Sequence, residues 1–440
     1  MTSQNATAPT PDRIQRWVEA VRVYGDRRML VILLMGFSSG LPLLLTLSTL
    51  SYWLEKVGVD LTTIGLFALV GVPYSFKFVW APLIDQGRIP LLTRWLGRRR
   101  SWAMVSQAGL IGAILFMGST DPATDPWWTA FAALLVAFFS ASQDIAIDAY
   151  RIEILDEHEQ GAGAATTQIG YRIGLIVAGA GAIAASDYIG WPAIFVGLAA
   201  LTAIGMIAVL IAREPKAPES WERIAKAPLA AQLKLSVVDP FVEFLTRKGA
   251  LVILAFVLLY KFGDAIGGTM AYPFYIQMGF TGTEIAAISK VLGVIMTLLG
   301  VAAGGLMVAR YGIFRTLIVG GVLQAVTNLL YAWLAGRGHD ITALTITIGA
   351  DNFAGGIGSA AFVAYLSSLC NVAFTGTQYA LLSSFMATGR TMLSSGSGWL
   401  AETLGWAPFF LATMFLAVPG LLLIWWLMRL YPTKLKPPEP

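Results

Sequence analysis

The chain alternates between long apolar stretches and short polar connections. Twelve stretches approach or exceed about twenty mostly apolar residues, the length at which a helix crosses the ~30 Å hydrocarbon core of a bilayer. Lipid offers backbone N–H and C=O groups no hydrogen-bond partner, so each spanning stretch must be helical. The pattern predicts spans at 29–54, 61–83, 102–119, 127–150, 163–185, 191–211, 249–276, 284–308, 316–335, 341–368, 377–400 and 407–429.

Composition agrees with an all-α membrane protein of about twelve transmembrane helices. Of the 440 residues, 56% are hydrophobic and 13% are charged, whereas about a quarter of a soluble domain is charged. The formal net charge of +4 would suit a nucleic-acid partner, but the basic residues lie in short loops beside the spans. The sequence therefore predicts a bilayer partner, no nucleic acid and no soluble enzyme.

Lysine and arginine predict the orientation of the chain. Of the 30 such residues, 23 lie in the N-terminal segment, the loops after spans 2, 4 and 8, the central linker and the C-terminus, and the opposite loops hold only Lys56 and Arg337. Cytoplasmic loops carry the excess of these residues. An even number of spans returns the chain to its starting side, so both termini are predicted to be cytoplasmic.

A polar linker separates two sets of six spans. It begins REPKAPESWERIAKAP, a sequence that suggests an amphipathic helix on the membrane surface. Two six-helix bundles joined in this way resemble the major facilitator architecture. The predicted organisation is a cytoplasmic N-terminal segment at 1–28, a bundle at 29–212, a cytoplasmic linker at 213–248, a second bundle at 249–430 and a cytoplasmic tail at 431–440.

Two loops support this resemblance. The loop after span 8 reads GGLMVARYGIFR, which is similar to the G-x-L-A-D-R-x-G-R-R signature of the superfamily, with Ala309 at the usual acidic position. The loop after span 2, PLIDQGRIPLLTRWLGRRR, retains Asp85 and three consecutive arginines. Short basic turns of this kind hold neighbouring helices at the cytoplasmic face by charge pairing and by contacts with helix C-termini.

Several kinds of chemistry are excluded by residues that the chain lacks. It has one cysteine, Cys370, and two histidines, His158 and His339, all far apart in sequence, so we expect neither a disulfide framework nor a metal site. No G-x-x-x-x-G-K-[ST] loop occurs, so nucleotide-driven pumping is not expected. We therefore expect no cofactor, with an ion gradient or the solute's own gradient as the energy source.

Ionisable residues inside the spans mark a candidate binding cavity, because charges in lipid usually face a cavity or a partner. Arg172, Lys261, Asp351 and Arg390 lie near the middle of their predicted spans. A cavity rich in cations suits an anionic solute. Lys261 and Asp264, three residues apart, could instead pair as a structural element, whereas Arg172 and Arg390 have no acidic residue one turn away, which favours substrate contact.

Span 4 contains the densest polar run, SQDIAIDAYRIEIL. Asp144 and Asp148 share one helix face with Gln143 beside them, and two carboxylates this close resist joint ionisation. This pair could therefore couple transport to protons. The alternative interpretation is that Asp148 and Arg151 form a cytoplasmic latch that breaks during transport.

Four segments resemble the AmpG-type muropeptide permeases: GFSSGLPLLLTLSTLSYWL, TTIGLFALVGVPYSFKFVWAPLID, SQDIAIDAYRIEIL and EQGAGAATTQIGYRIG. The resemblance implies proton-driven import of GlcNAc-1,6-anhydroMurNAc peptides from periplasm to cytoplasm, for cell-wall recycling, by a protein of the bacterial inner membrane. Some members have two further helices, for which this chain has no room. The acetyl-CoA transporters belong to the same wider group. The motif positions are Gly40, Lys77, Gln143, Asp144, Asp148, Tyr171 and Arg172.

The leading hypothesis is a monomeric carrier that moves an anionic sugar–peptide together with protons. The alternatives are a carrier for another anion, such as a coenzyme A thioester or a short peptide, and a membrane enzyme or lipid flippase. No span holds a Ser/His/Asp set, which disfavours the enzyme. The predicted substrate-binding residues are Arg172, Arg390, Lys261, Lys77, Gln143, Tyr171 and Asp351, and those for proton coupling or gating are Asp144, Asp148, Arg151 and Asp264.

Overall fold

The computed structural model of the protein describes residues 22–218, 221, 228, 231, 234–394 and 396–430. These residues form helices joined by short connections, and no strand occurs among them. We number the helical segments as α1 Arg27–Lys56, α2 61–86, α3 Arg98–Ser119, α4 Pro126–Ile154, α5 Glu157–Ala185, α6 Trp191–Ile211, α7 Ala250–Gln277, α8 Ala287–Tyr311, α9 Ile313–Ala335, α10 Ile341–Leu369, α11 Val372–Leu404 and α12 Trp406–Leu430.

Nine of these segments are, within the described residues, long and apolar enough to cross a membrane. Three of the twelve predicted spans, which correspond to α2, α10 and α11, do not pass this test as single helices. Segment α2 is a series of short α- and 3-10-helical turns, in which Pro73 and Pro82 each start a new turn because proline has no N–H to continue the preceding one. Helices α10 and α11 pass the same test only together, and they meet at a 95° bend.

The helices pack in a pattern that repeats in the two halves of the chain. In the first half α3 packs against α4 and α6, and in the second half α9 packs against α10 and α12. The halves meet where α5 contacts α8 and α10, and where α11 contacts α2 and α4. A repeated bundle with one shared interface places the space between the halves at the centre of the molecule.

Glycines allow α1 and α5 to approach closely. A Cβ atom at Gly40 would overlap the backbone carbonyl of Tyr171, and one at Gly174 would overlap the carbonyl of Phe37. Small residues at four-residue spacing permit this contact, Gly36 and Gly40 on α1 and Gly170 and Gly174 on α5. The close contact therefore fixes the position of Tyr171 and its neighbour Arg172 relative to the backbone of α1.

One face of the molecule carries both described chain ends. Arg28 at the start of α1 donates to the carbonyl of Ile154 at the end of α4 (3.1 Å), and Arg27 donates to that of Ile211 at the end of α6 (3.5 Å). Leu430 at the end of α12 lies beside Gly249 on the same side. We call this the terminal face. Of the predicted linker the structure describes residues 213–218, 221, 228, 231 and 234–248. The rest of the linker, with the segments 1–21 and 431–440, lies outside the described residues.

Candidate functional site

A cavity of about 290 Å³ lies between the halves. Helix α5 of the first half contributes to its wall, and α7, α8, α10 and α11 of the second half supply the rest. The cavity brings together five of the predicted site residues, Arg172, Lys261, Asp264, Asp351 and Arg390, with the polar neighbours Gln168, Thr297, Asn352 and Ser359. Charged positions from four separate stretches of sequence thus converge on one space.

Lys261 and Asp264 form a pair on the second-half wall. Nζ of Lys261 lies 3.5 Å from Oδ2 of Asp264 and donates to Oγ of Ser359 at 3.0 Å. Nε2 of Gln324 donates to the same Asp264 oxygen at 2.8 Å. The pair is half-buried, and the regular helix of α7 is interrupted just before Phe262. The interaction expected from their spacing is therefore present, and both side chains also face the cavity.

Helix α9 positions Asp351. One carboxylate oxygen accepts from Oγ1 of Thr327 (3.0 Å) and the other accepts from the hydroxyl of Tyr331 (3.3 Å), which in turn lies 3.0 Å from the hydroxyl of Tyr275. Buried carboxylates need such donors to remain favourable. The carboxyl group of Asp351 is therefore held in one position on the cavity wall.

Arg172 and Arg390 approach the cavity from opposite halves, on α5 and α11. Neither guanidinium forms a salt bridge with any residue that the structure describes, and Nε of Arg172 is buried without a hydrogen-bond partner. With Lys261, three cationic side chains line the cavity against two acidic ones. Because buried cations are stabilised by anionic partners, the wall is suited to a ligand that carries carboxylates or phosphates.

The remaining predicted residues do not reach this cavity wall in the structure. Asp144 accepts from Oγ of Ser39 (2.5 Å), with Lys77 and Asp148 as its charged neighbours. Lys77 is buried. These side chains form a second polar cluster inside the first half, and Tyr171 interacts electrostatically both with that cluster and with Arg172.

Gln143 takes a structural position rather than a cavity position. It is fully buried, and its side-chain amide donates to the carbonyl of Ser38 at 3.1 Å. It therefore fastens α4 to α1. Sequence reasoning could not distinguish the two roles, because an amide inside a span can bond either to a ligand or to a neighbouring backbone.

The halves are joined by hydrogen bonds at the terminal face. The carboxylate of Asp85, at the end of α2, accepts from both the backbone N–H and the hydroxyl of Thr377 in α11, each at 2.9 Å. Nε2 of Gln86 donates to the carbonyl of Ala373, also at 2.9 Å. Asp85 is completely buried and also pairs with Arg99 at 2.5 Å. The sequence indicated the charged loop but not its partner in the second half.

Arg151 also crosses between the halves. Its guanidinium is fully buried, lies 3.4 Å from Asp148 and sits 5.5 Å from the ring centroid of Tyr379 in α11. A cation over an aromatic face is attractive, and more so when both groups are desolvated. The geometry matches the latch alternative for Arg151, with Tyr379 as a contact that sequence reasoning missed.

Apolar packing shows the same asymmetry between the two faces. Near the terminal face, Ile152 and Ala164 of the first half belong to a buried cluster with Val308 and Phe362 of the second. The clusters around Trp53 and around Phe410, towards the opposite face, each contain residues of one half only. The cavity is therefore sealed from the terminal face.

Two helix bundles around a charged cavity that is sealed at one face define a multi-pass membrane transporter and not an enzyme. Solved structures share the fold. The chain matches the proton:xylose symporter XylE at a TM-score of 0.64, with 13% identity over 94% of this chain and 96% of that one. It matches the human organic anion transporter MFSD10 at 0.60, with 15% identity over 94% and 100%.

Sequence comparisons define the family. The model of the Major Facilitator Superfamily matches residues 29–350. A protein of Escherichia coli K12 named anhydromuropeptide permease is 39% identical over 92% of this chain and 80% of its own length, and a transporter of Rickettsia felis described as AmpG 4 is 36% identical over 93% and 98%. The chain belongs to the major facilitator superfamily and, within it, to the AmpG-type permeases.

Proposed function

We propose that the protein carries anhydromuropeptides, GlcNAc-1,6-anhydroMurNAc peptides, from the periplasm to the cytoplasm together with protons. The observation that carries the proposal is the cavity in which Arg172 and Arg390 face each other without acidic partners, in a chain 39% identical to an anhydromuropeptide permease. The excess of lysine and arginine in the loops on the side of the termini supports cytoplasmic termini in a bacterial inner membrane. We propose that the monomer is the transporting unit.

The cavity offers complementary groups for a sugar–peptide. Guanidinium groups bind carboxylates through two parallel N–H···O bonds, so Arg172 and Arg390 would hold the carboxylates of the peptide stem. The amides of Gln168 and Asn352 and the hydroxyl of Ser359 line the same space and would bind sugar hydroxyl and acetamido groups. A neutral sugar would leave the two arginines unpaired, which disfavours it as a substrate.

Release on the other side requires the terminal face to open. In alternating access the two bundles rock around a central site. Here the bonds from Thr377 to Asp85 and the contact of Arg151 with Tyr379 would break, while the cavity loses its opening on the opposite face. The terminal-face contacts would thus stabilise the sealed state relative to the state that is open at the terminal face.

Proton coupling requires a carboxylate whose ionisation depends on the state of the carrier. We propose Asp144 for this role, because its oxygen is held by Ser39 and it has one cationic and one anionic neighbour, Lys77 and Asp148. Asp351 and Asp264 line the cavity, so a bound substrate would change their electrostatic surroundings. Movement of α1 or α4 would change the surroundings of Asp144 directly.

Uptake of labelled anhydromuropeptide tests the proposal. The protein is expressed in a Gram-negative strain that lacks its own muropeptide permease, and uptake is measured with and without an uncoupler. We expect uptake that the uncoupler abolishes. Uptake that the uncoupler leaves unchanged would overturn the proton coupling, and no uptake by protein confirmed in the membrane would overturn the substrate and direct the search to coenzyme A thioesters.

A further inference from the structure

A second cavity, of about 450 Å³, lies at the terminal face, remote from the transport site. It is formed between the start of α1 and the ends of α4 and α6. Its wall consists of Asp26, Arg27, Arg28, Val31, Tyr150, Ile154, Ile211 and Arg213. All of these residues belong to the first half, so this cavity has no part in the contact between the halves.

Two of its three arginines are available to a ligand. Arg28 is occupied by Asp26 (2.7 Å) and by Glu159 (2.6 Å). Hydrogen bonds from Arg28 lower the pKa of Asp26 below its usual value, and the charge of Arg213 adds to this effect, so the Asp26–Arg28 pair stays ionised. Arg27 is exposed and makes one long bond, to the carbonyl of Ile211, and Arg213 is exposed with no ion pair among the described residues.

A tyrosine hydroxyl completes the set of donors. Tyr150 is 2% exposed and lines the cavity. Its hydroxyl has no hydrogen-bond partner in the part of the chain that the structure describes. The hydroxyl is therefore free to donate to a ligand in the cavity. Arg27, Arg213 and the phenol of Tyr150 thus place three donor groups at one cavity whose only carboxylate, that of Asp26, is already bonded to Arg28. A phosphate is suited to such a set of donors.

The flank of the cavity is apolar and faces outward. Ile211 is 38% exposed and Ile207, one turn earlier on α6, is 56% exposed. Leu30, one turn after Arg27 on α1, is 51% exposed. Residues at this spacing share a helix face, so an exposed apolar strip runs from the cavity along both helices. A ligand with a phosphate at one end and hydrocarbon at the other fits both parts.

We propose that this cavity binds the phosphate of an anionic phospholipid, with Arg27, Arg213 and Tyr150 as donors and the acyl chains along Leu30 and Ile207. Free inorganic phosphate has the same charge chemistry but would gain nothing from the apolar strip. A bound lipid would tie α1, α4 and α6 together at the terminal face. It would thereby stiffen the first half without touching the transport cavity.

The test uses the full-length protein purified in detergent, with added phosphatidylglycerol, phosphatidylcholine or inorganic phosphate. Native mass spectrometry counts the retained lipid, and thermal unfolding follows its effect. We expect phosphatidylglycerol alone to be retained and to raise the unfolding temperature. Each basic residue near an anionic lipid surface contributes enough to change affinity several-fold, so Arg27→Gln with Arg213→Gln should weaken phosphatidylglycerol binding at least about tenfold.

Two further variants keep the result specific. Tyr150→Phe keeps the ring and the charge and should weaken binding by about threefold to tenfold, the effect of one hydrogen bond. Arg310→Gln with Arg315→Gln removes the same charge from the terminal face of the second half and should leave binding unchanged. Equal loss in this control, or undiminished binding to Arg27→Gln with Arg213→Gln, would overturn the site, and equal stabilisation by inorganic phosphate would overturn the lipid assignment.

Discussion

At the scale of single residues, the cavity gathers cations that have no acidic partner of their own. Arg172 and Arg390 approach from opposite halves, whereas Lys261 is held by Asp264. Removing either arginine should therefore remove ligand binding, while removing Lys261 should also free Asp264 and disturb the wall.

Arg172→Ala and Arg390→Ala should each lower the rate of muropeptide uptake at limiting substrate by about tenfold to a hundredfold, the effect of losing one charge-assisted hydrogen bond. Membrane insertion should be unchanged. Arg337→Ala is the matched control, because that arginine lies beside Trp333 in the opposite loop and not at the cavity. Wild-type uptake in both cavity variants would contradict the assignment of an anion site.

Asp144→Asn should separate transport from the proton gradient. The amide keeps the size of the carboxylate and can still interact with Ser39, but it cannot ionise. Flow of the substrate down its concentration gradient should persist, while accumulation of the substrate against that gradient should be lost. Uptake with and without an uncoupler measures both. Accumulation that remains sensitive to the uncoupler would move the coupling role to another acid.

The shared location of the charges could be predicted from the sequence, whereas the packing of the polar residues around them could not. A charge inside an apolar stretch is costly in lipid, so Arg172, Lys261, Asp351 and Arg390 could be assigned to a shared cavity without coordinates. Gln143 shows the limit. A buried amide is equally well satisfied by a ligand or by a neighbouring backbone, and only the contact with Ser38 decides between them.

At the scale of helices, the close contact between α1 and α5 determines where the cavity side chains stand. Sequence patterns reveal glycines four residues apart, a spacing that permits such close contacts. They did not predict the broken form of α2 or the bend between α10 and α11, because hydropathy records how apolar a stretch is and not where its backbone turns. The contact of Asp85 with Thr377 was equally out of reach, since nearly three hundred residues separate the partners.

Gly40→Ala should displace α5 and lower both stability and transport. The added methyl group would collide with the carbonyl of Tyr171, and overpacking of this kind typically costs about 1–3 kcal/mol. Gly112→Ala in α3 is the control, because a Cβ there meets no atom within 4 Å and alanine favours a helix. The unfolding temperature in detergent should fall for the first variant and hold or rise for the second; equal values would contradict the close packing.

At the scale of the whole molecule, the terminal-face contacts control which side of the membrane reaches the cavity. Cys370, the one cysteine of the chain, lies half-buried at the bend between α10 and α11. Arg151 and Asp85 of the first half are among its charged neighbours. The native thiol therefore reports on the opening of this face without any engineered label site.

Thr377→Val should increase the rate at which a maleimide labels Cys370 from the terminal face. The substitution removes the hydroxyl donor to Asp85 but keeps the backbone N–H bond, so the sealed state is weakened by about 1 kcal/mol and not abolished. Thr403→Val near the end of α11, where the hydroxyl binds only its own helix, is the control. An unchanged labelling rate in Thr377→Val would show that the seal does not depend on this bond.

Three cationic and two acidic side chains line the cavity. If all five are ionised, the cavity without substrate carries one excess positive charge, and its transport step depends on the membrane potential. When access changes from one face to the other, that charge is transferred electrically across the membrane although the side chains barely move. One elementary charge is worth about 2.3 kcal/mol per 100 mV if it crosses the full potential. An inside-negative membrane would thus hold the empty carrier open to the cytoplasm. A substrate that enters with one net negative charge, its protons included, would cancel the excess and make the loaded step insensitive to voltage.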